Sequence, residues 1–140
     1  MSARQFLDTN AVVYAYDTSD AVKQAKAQGL LANAVRKGDG AVSVQVLGEF
    51  FHTVVVRRRL MTAAEASLAI SALEAGLEVA EITAQLVKDA IAIHERCQLR
   101  YWDSLIVATA RHLGCKEVAS EDMSVGQDYG GVFVVNPFKL

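Results

Sequence analysis

The sequence predicts an α/β fold, a mostly parallel central sheet flanked by helices in an α/β/α sandwich, and three observations carry that expectation. Short apolar runs suited to strands alternate along the chain with longer amphipathic stretches. Capping residues and turn formers separate the two kinds of segment. At 140 residues, with 52% hydrophobic and 21% charged side chains, the chain has the size and composition of one globular domain, and no linker or internal repeat divides it.

The first strand is Arg4-Gln5-Phe6-Leu7. It runs into Asp8-Thr9-Asn10, side chains that favour turns and helix N-caps, and the apolar run Ala11 to Tyr16 then reads as a helix. Asp20 caps a second helical stretch that ends with Lys37 at Gly38, where glycine supplies the left-handed turn of a helix end. Ala41-Val42-Ser43-Val44 is the next strand, with Ser43 placed to cap the helix after it. From Gln45 to Arg59 the residues Leu47, Phe50, Phe51, Val54 and Val55 recur at i, i+3, i+4, i+7 and i+8, the stripe of an amphipathic helix. Thr62-Ala63-Ala64-Glu65 has the form of a capping box and opens a helix that stops near Gly76. Leu77 to Ile82 alternates as a half-buried strand does. Thr83 caps a helix to about Gln98, and a last helix from about Trp102 to Leu113 is closed by Gly114. Glu117-Val118-Ala119 and Val132-Phe133-Val134-Val135 complete the strands.

Fourteen Lys and Arg against 16 Asp and Glu give a net charge of -2, which excludes a uniformly basic nucleic-acid binder and leaves only a local basic surface. Residues 1–70 carry eight basic and six acidic groups, residues 71–140 six and ten. No apolar run reaches the roughly 18 residues of a membrane span. Two cysteines, Cys97 and Cys115, and the lack of a basic-then-apolar leader point to a soluble protein of the reducing cytoplasm.

In parallel α/β sheets, ligands gather beyond the carboxyl ends of the strands, and acids stand there. Asp8 follows the first strand and Asp122 follows Glu117–Ala119; Glu49 lies in the helix after the second strand, and Asp103 in the first turn of the last long helix. If the chain winds as expected, the four converge at one edge. Carboxylates so gathered stay ionised only beside a cation, and an oxygen-only donor set selects Mg²⁺ or Mn²⁺. Asp103 gains further from the positive end of its helix dipole. Periodicity gives Glu49 a plainer alternative: at about 100° per residue it stands opposite the apolar stripe, the position of a solvated glutamate.

These residues also form an ordered set. Phe6-Leu7-Asp8-Thr9-Asn10 with Tyr14-Ala15, Ser43-Val44-Gln45-Val46-Leu47-Gly48-Glu49-Phe50, Tyr101-Trp102-Asp103-Ser104-Leu105-Ile106 and Ser120-Glu121-Asp122 resemble the four acidic motifs of PIN domains. The likeness runs to Val135-Asn136-Pro137-Phe138 and looks closest to the VapC-like ribonuclease toxins of bacterial toxin–antitoxin pairs. It implies a metal-dependent endoribonuclease whose Asp8, Glu49, Asp103 and Asp122 hold one or two Mg²⁺ or Mn²⁺ ions. The family usually has Ser or Thr two residues before the fourth acid; Ser120 fits, so Asp122 is preferred to Glu121. Met123-Ser124 follow where many members have another acid and an aromatic residue. Thr9, Asn10, Ser104 and Ser120 suit the task of orienting a carboxylate or a water. The chemistry is sound, because a divalent ion neutralises the phosphodiester and lowers the pKa of water, so no histidine base is needed. The resemblance further implies an RNA substrate, a homodimer, and a cognate antitoxin whose Arg pairs with the carboxylates in place of metal.

Arg57-Arg58-Arg59 is the only run of three basic residues, and it either complements the negative end of its helix or contacts RNA phosphates or an acidic partner. Arg96, Arg100 and Arg111 flank Asp103 in sequence and are candidates to line a substrate groove. Other readings remain open. A solitary housekeeping PIN nuclease would use the same acids. A receiver or haloacid dehalogenase-like phosphoryl-transfer domain also puts an Asp beyond strand one. Asp8-Thr9-Asn10 lacks the phosphatase's second Asp, however, and Lys116 precedes its strand instead of following it. A non-catalytic PIN-like binding module would have no need to gather unpaired carboxylates. His94-Glu95-Arg96-Cys97 and His112-Leu113-Gly114-Cys115 suggest zinc, but Gly114 ends a helix between the second pair and spoils its facing.

Overall fold

The computed structural model describes residues 4–139. Its strands are β1 (Gln5–Leu7), β2 (Gly40–Ser43), β3 (Glu78–Ala80), β4 (Glu117–Ala119) and β5 (Phe133–Val135). They form one sheet in the order β3-β2-β1-β4-β5, with every neighbouring pair parallel. The helices are α1 (Thr9–Tyr14), α2 (Ala21–Lys37), α3 (Val44–Phe51), α4 (Ala63–Gly76), α5 (Ala84–Cys97) and α6 (Tyr101–His112). The fold class is therefore the one expected, with a sheet wholly rather than mostly parallel.

The capping residues act as the sequence suggests. Backbone N–H groups donate to Asp20 from Lys23 (3.0 Å), to Ser43 from Val46 (3.3 Å) and to Thr83 from Leu86 (3.2 Å). At α4 the box closes both ways, Glu65 N–H to Thr62 Oγ1 at 3.1 Å and Thr62 N–H to Glu65 Oε1 at 2.9 Å. Gly38 ends α2 at φ 68. Gly40 opens β2 so close to α2 that a Cβ there would stand 2.5 Å from that of Ala34, which leaves room for glycine alone.

β2 is buried at every residue, as a central parallel strand covered on both faces must be. Phe6, Val12, Val46, Phe50, Ile106 and Val107 are fully buried against the sheet. From β1 the chain winds outward through β2 to β3, then crosses back to β4 and β5. Helix α1 packs on α2 and α3, α3 on α4, and α5 on α6, the grouping that right-handed crossovers produce when the winding direction reverses after β3. β1 and β4 adjoin at the reversal, Leu7 opposite Ala119, so Asp8 and Ser120 leave the sheet side by side.

One element departs from expectation. The stretch Gln45 to Arg59 reads as one α-helix, yet α3 passes into π-helical turns over His52–Arg57, and Arg58 N–H donates to the carbonyl of Thr53 at 2.9 Å. Phe51, counted in the apolar stripe, is exposed where α3 gives way to the wider turns, whereas Val54 within them stays buried. Arg58 Nη2 reaches Asp17 Oδ2 at 2.7 Å. Asp17 is buried and also accepts from Ser19 Oγ (2.6 Å) and Ser19 N–H (3.0 Å). The Ser19 hydroxyl first, and Arg58 with it, hold the Asp17 carboxyl below its usual range. Because that pKa is lowered, the pair stabilises the fold above pH of about 4 and is lost as pH falls further. Asp17→Ala should cost about 2 kcal/mol at pH 7 by denaturant melts, with the difference from wild type shrinking below pH of about 4.

Candidate active site

The loop after β1 makes the deepest part of the site. Asp8 is the N-cap of α1, with Oδ1 accepting from Thr9 N–H at 2.8 Å and Oδ2 accepting from Ser120 Oγ at 2.8 Å. It is 7% exposed. Burial pushes its pKa up to about 6 against the two hydrogen bonds, and the charges of Asp103 and Glu49 add to the rise. A carboxylate so placed is an anion short of a cation.

Ser120 ties the two strand ends together. Fully buried at the end of β4, it donates to Asp8 and faces Asp122 N–H (3.2 Å) and Met123 N–H (3.3 Å). Asn10, from the first turn of α1, completes the stitch: Oδ1 accepts from Glu121 N–H (3.0 Å) and Nδ2 donates to Asp122 Oδ2 (3.2 Å). Thr9 Oγ1 donates to Glu49 Oε1 at 2.8 Å, linking α1 to α3. Glu49 is half-buried and not the solvated glutamate of the helical wheel, because the face of α3 opposite the core borders this site. Asp103, in the first turn of α6, is half-buried and accepts from Arg100 Nη2 at 3.2 Å.

Asp8, Glu49, Asp103 and Asp122 thus line one open pocket of about 640 Å³, with Thr9 and Asn10 in its wall. Glu121 does not. Its carboxylate turns away to Lys23 Nζ (2.5 Å) and Tyr14 OH (2.6 Å), leaving Asp122 as the acid at the fourth position. Ser104 does not touch an acid either: buried, it donates to the carbonyls of Arg100 (3.0 Å) and Leu99 (3.2 Å) and secures the start of α6.

The arginines divide. Arg57, Arg58 and Arg100 line the pocket, brought there by the π-helical turns and by the entry to α6, whereas Arg59 ends its segment outside it at φ 52. Arg96 and Arg111 line a separate groove with Asp89, Ile93 and His112, between α5 and α6. Gln45, His52 and Thr53 also line the pocket, and the sequence carries no signal for them beyond their position on the helix of Glu49. The zinc reading has no support: His94 and His112 are exposed, Cys115 is buried, and His94 Nδ1 engages the Leu99 carbonyl at 2.6 Å.

Among the described residues no three His, Cys, Asp or Glu side chains already close on one point. The acids instead ring a space wide enough for an ion that keeps part of its water, as Mg²⁺ does. An oxygen-only donor set, with one carboxylate buried at raised pKa, fits a hard divalent cation.

Residues 6–124 match the family model described as PIN domain. No curated protein matches the sequence. Among solved structures, the Mycobacterium tuberculosis VapC20, described as a sarcin-ricin loop cleaving toxin, aligns at a TM-score of 0.65 and 22% identity over 84% of this chain and 89% of that one. A toxin–antitoxin complex from Klebsiella pneumoniae gives 0.70 and 18%, covering 99% of this chain and 100% of that one. DNA-bound VapBC from Salmonella typhimurium gives 0.70 and 13%, covering 97% and 99%. At such identities the likeness is one of fold.

Proposed function

Since the chain belongs to the PIN domain family, we propose that it is a divalent-metal-dependent endoribonuclease, the toxin of a toxin–antitoxin pair acting in the cytoplasm. The observation that carries this reading is the convergence of Asp8, Glu49, Asp103 and Asp122, distant in sequence, on one pocket. When bound, Mg²⁺ or Mn²⁺ would neutralise the phosphodiester and make water a competent nucleophile near neutral pH. Asp8 and Glu49, each fixed by a hydrogen bond through Thr9, would hold the ion with Asp103, and Asp122 would join them from the β4 side.

Arg57 and Arg100 on the rim grip the phosphates that flank the cut, drawing RNA across the carboxylates. In the reaction, the oxygen of water bonds to phosphorus in line with the departing oxygen. The P–O3′ bond breaks, leaving a 3′-hydroxyl and a 5′-phosphate. Arg58 is committed to Asp17 and acts by holding the π-helical segment in place.

The toxin assignment draws support from the toxin–antitoxin complexes among the structural neighbours. A protein antitoxin presenting an Arg to the carboxylates fits the pocket's charge. Exposed Val22 and Val35 on α2 and Leu68 on α4 supply apolar surface for a homodimer. Expression without a partner should arrest bacterial growth, and Asp103→Asn should abolish the arrest. If wild-type expression is harmless while the purified protein cleaves RNA broadly, the protein is a housekeeping nuclease instead.

A further inference from the structure

Gln45 stands one turn before Glu49 on α3, so the two side chains leave neighbouring positions on the helix. Its Nε2 donates to the carbonyl of Trp102 at 3.1 Å, which ties α3 to the first turn of α6 beside Asp103. Its Oε1 is buried, and it is the one buried side-chain nitrogen or oxygen among the described residues that has no hydrogen-bond partner. Turning the amide over would set that oxygen against the Trp102 carbonyl, acceptor to acceptor, so the orientation is fixed.

An unmet buried acceptor destabilises a fold, and here it belongs to a residue that lines the pocket, one turn from Glu49 and tied to the helix of Asp103, so that an ion entering the pocket can draw the oxygen out to a partner. The flanking carboxylates are acceptors and cannot satisfy it. A hydrated divalent cation can, because the waters it keeps are polarised donors. Resting on the proposed divalent-ion site, we propose that Gln45 belongs to that site as a neutral positioning residue: Oε1 accepts from a water of the cation's hydration shell while Nε2 holds α6 at the spacing Asp103 needs.

The test is Mn²⁺ binding by calorimetry, without RNA, to wild type, Gln45→Met and Gln45→Glu. Gln45→Met keeps the shape of the side chain and removes both polar ends. It should bind Mn²⁺ about tenfold more weakly, and removing the orphaned oxygen offsets the lost tie to Trp102, so its metal-free melting temperature should not fall. Gln45→Glu keeps an acceptor oxygen but exchanges the donor to Trp102 for a second acceptor, so its metal-free melting temperature should fall, and Mn²⁺ should raise that temperature by more than it does in Gln45→Met. Unchanged affinity in Gln45→Met, or a Gln45→Glu that Mn²⁺ stabilises no more than Gln45→Met, overturns the proposal. A lower metal-free melting temperature of Gln45→Met with unchanged Mn²⁺ affinity would make Gln45 a structural tie alone. If wild type itself binds no Mn²⁺, the divalent-ion reading falls and this inference with it; if wild type binds and Gln45→Met binds equally, only the role of Gln45 is lost.

Discussion

Asp8→Asn and Asp103→Asn should each slow RNA cleavage about a thousandfold while leaving the fold intact. Either change removes one ligand charge at nearly constant volume, and a loss of about 4 kcal/mol of transition-state stabilisation corresponds to that factor. Asp8 has the strongest case because it is buried and held from both sides, by Thr9 N–H and Ser120 Oγ. Asp122 is exposed and tethered by Asn10 alone from its side chain, so Asp122→Asn should cost less, about tenfold to a hundredfold. Ser104→Ala, Arg96→Gln and Arg111→Gln should leave turnover near wild type, since none of the three reaches the pocket. Single-turnover rates on structured RNA decide the matter. Wild-type turnover in Asp8→Asn or Asp103→Asn would remove that residue from the site.

The second large effect is on stability and has the opposite sign from ordinary mutational damage. In metal-free buffer Asp8→Asn should be more stable than wild type by about 2 kcal/mol at pH of about 7.5. A carboxyl raised from 3.8 to about 6 binds its proton more tightly in the native state. The native state is therefore favoured below pH of about 4 and loses that advantage as pH rises through about 6, a change of about 3 kcal/mol. Loss of the Ser120 donation to Oδ2 takes back about 1 kcal/mol in the variant. The stability gap between variant and wild type should open between pH of about 4 and 6 and close again on adding Mg²⁺, which stabilises only the wild type. Asp17 behaves in the reverse sense, being buried with Arg58 and Ser19 for partners, and a titration of both variants shows the two signs side by side. A gap that does not change with pH would mean that Asp8 carries no desolvation penalty.

Much of the fold was legible because its signals are local. Asp20, Ser43, Thr62 and Thr83 cap helices with their own side chains, and the strands between are short apolar runs. The features that escaped the sequence depend on partners far along the chain. The π-helical turns over His52–Arg57 contain neither Gly nor Pro, and they end at Arg58, which pairs with Asp17 in the loop after α1. Glu49 is named for the site by its place in the ordered set of acids and not by periodicity, because a helical wheel registers only the face toward the core, whereas α3 borders the pocket on its other face. Ser104 follows Asp103 in sequence, but one residue along a helix is about 100° of rotation, and that turns it from the pocket into the interior. Glu121 and Asp122 are separated only by the side chains that face them: Lys23 and Tyr14 take the first, Asn10 the second.

Whether the four acids hold a divalent ion that makes the protein a ribonuclease is decided by metal add-back. Purified protein stripped with chelator should cleave no RNA, and Mg²⁺ or Mn²⁺ returned in excess should restore wild-type rates and 5′-phosphate, 3′-hydroxyl ends, while metal-free controls stay silent. Cleavage undiminished in excess chelator, or ends bearing a 2′,3′-cyclic phosphate, would contradict the divalent-ion reading.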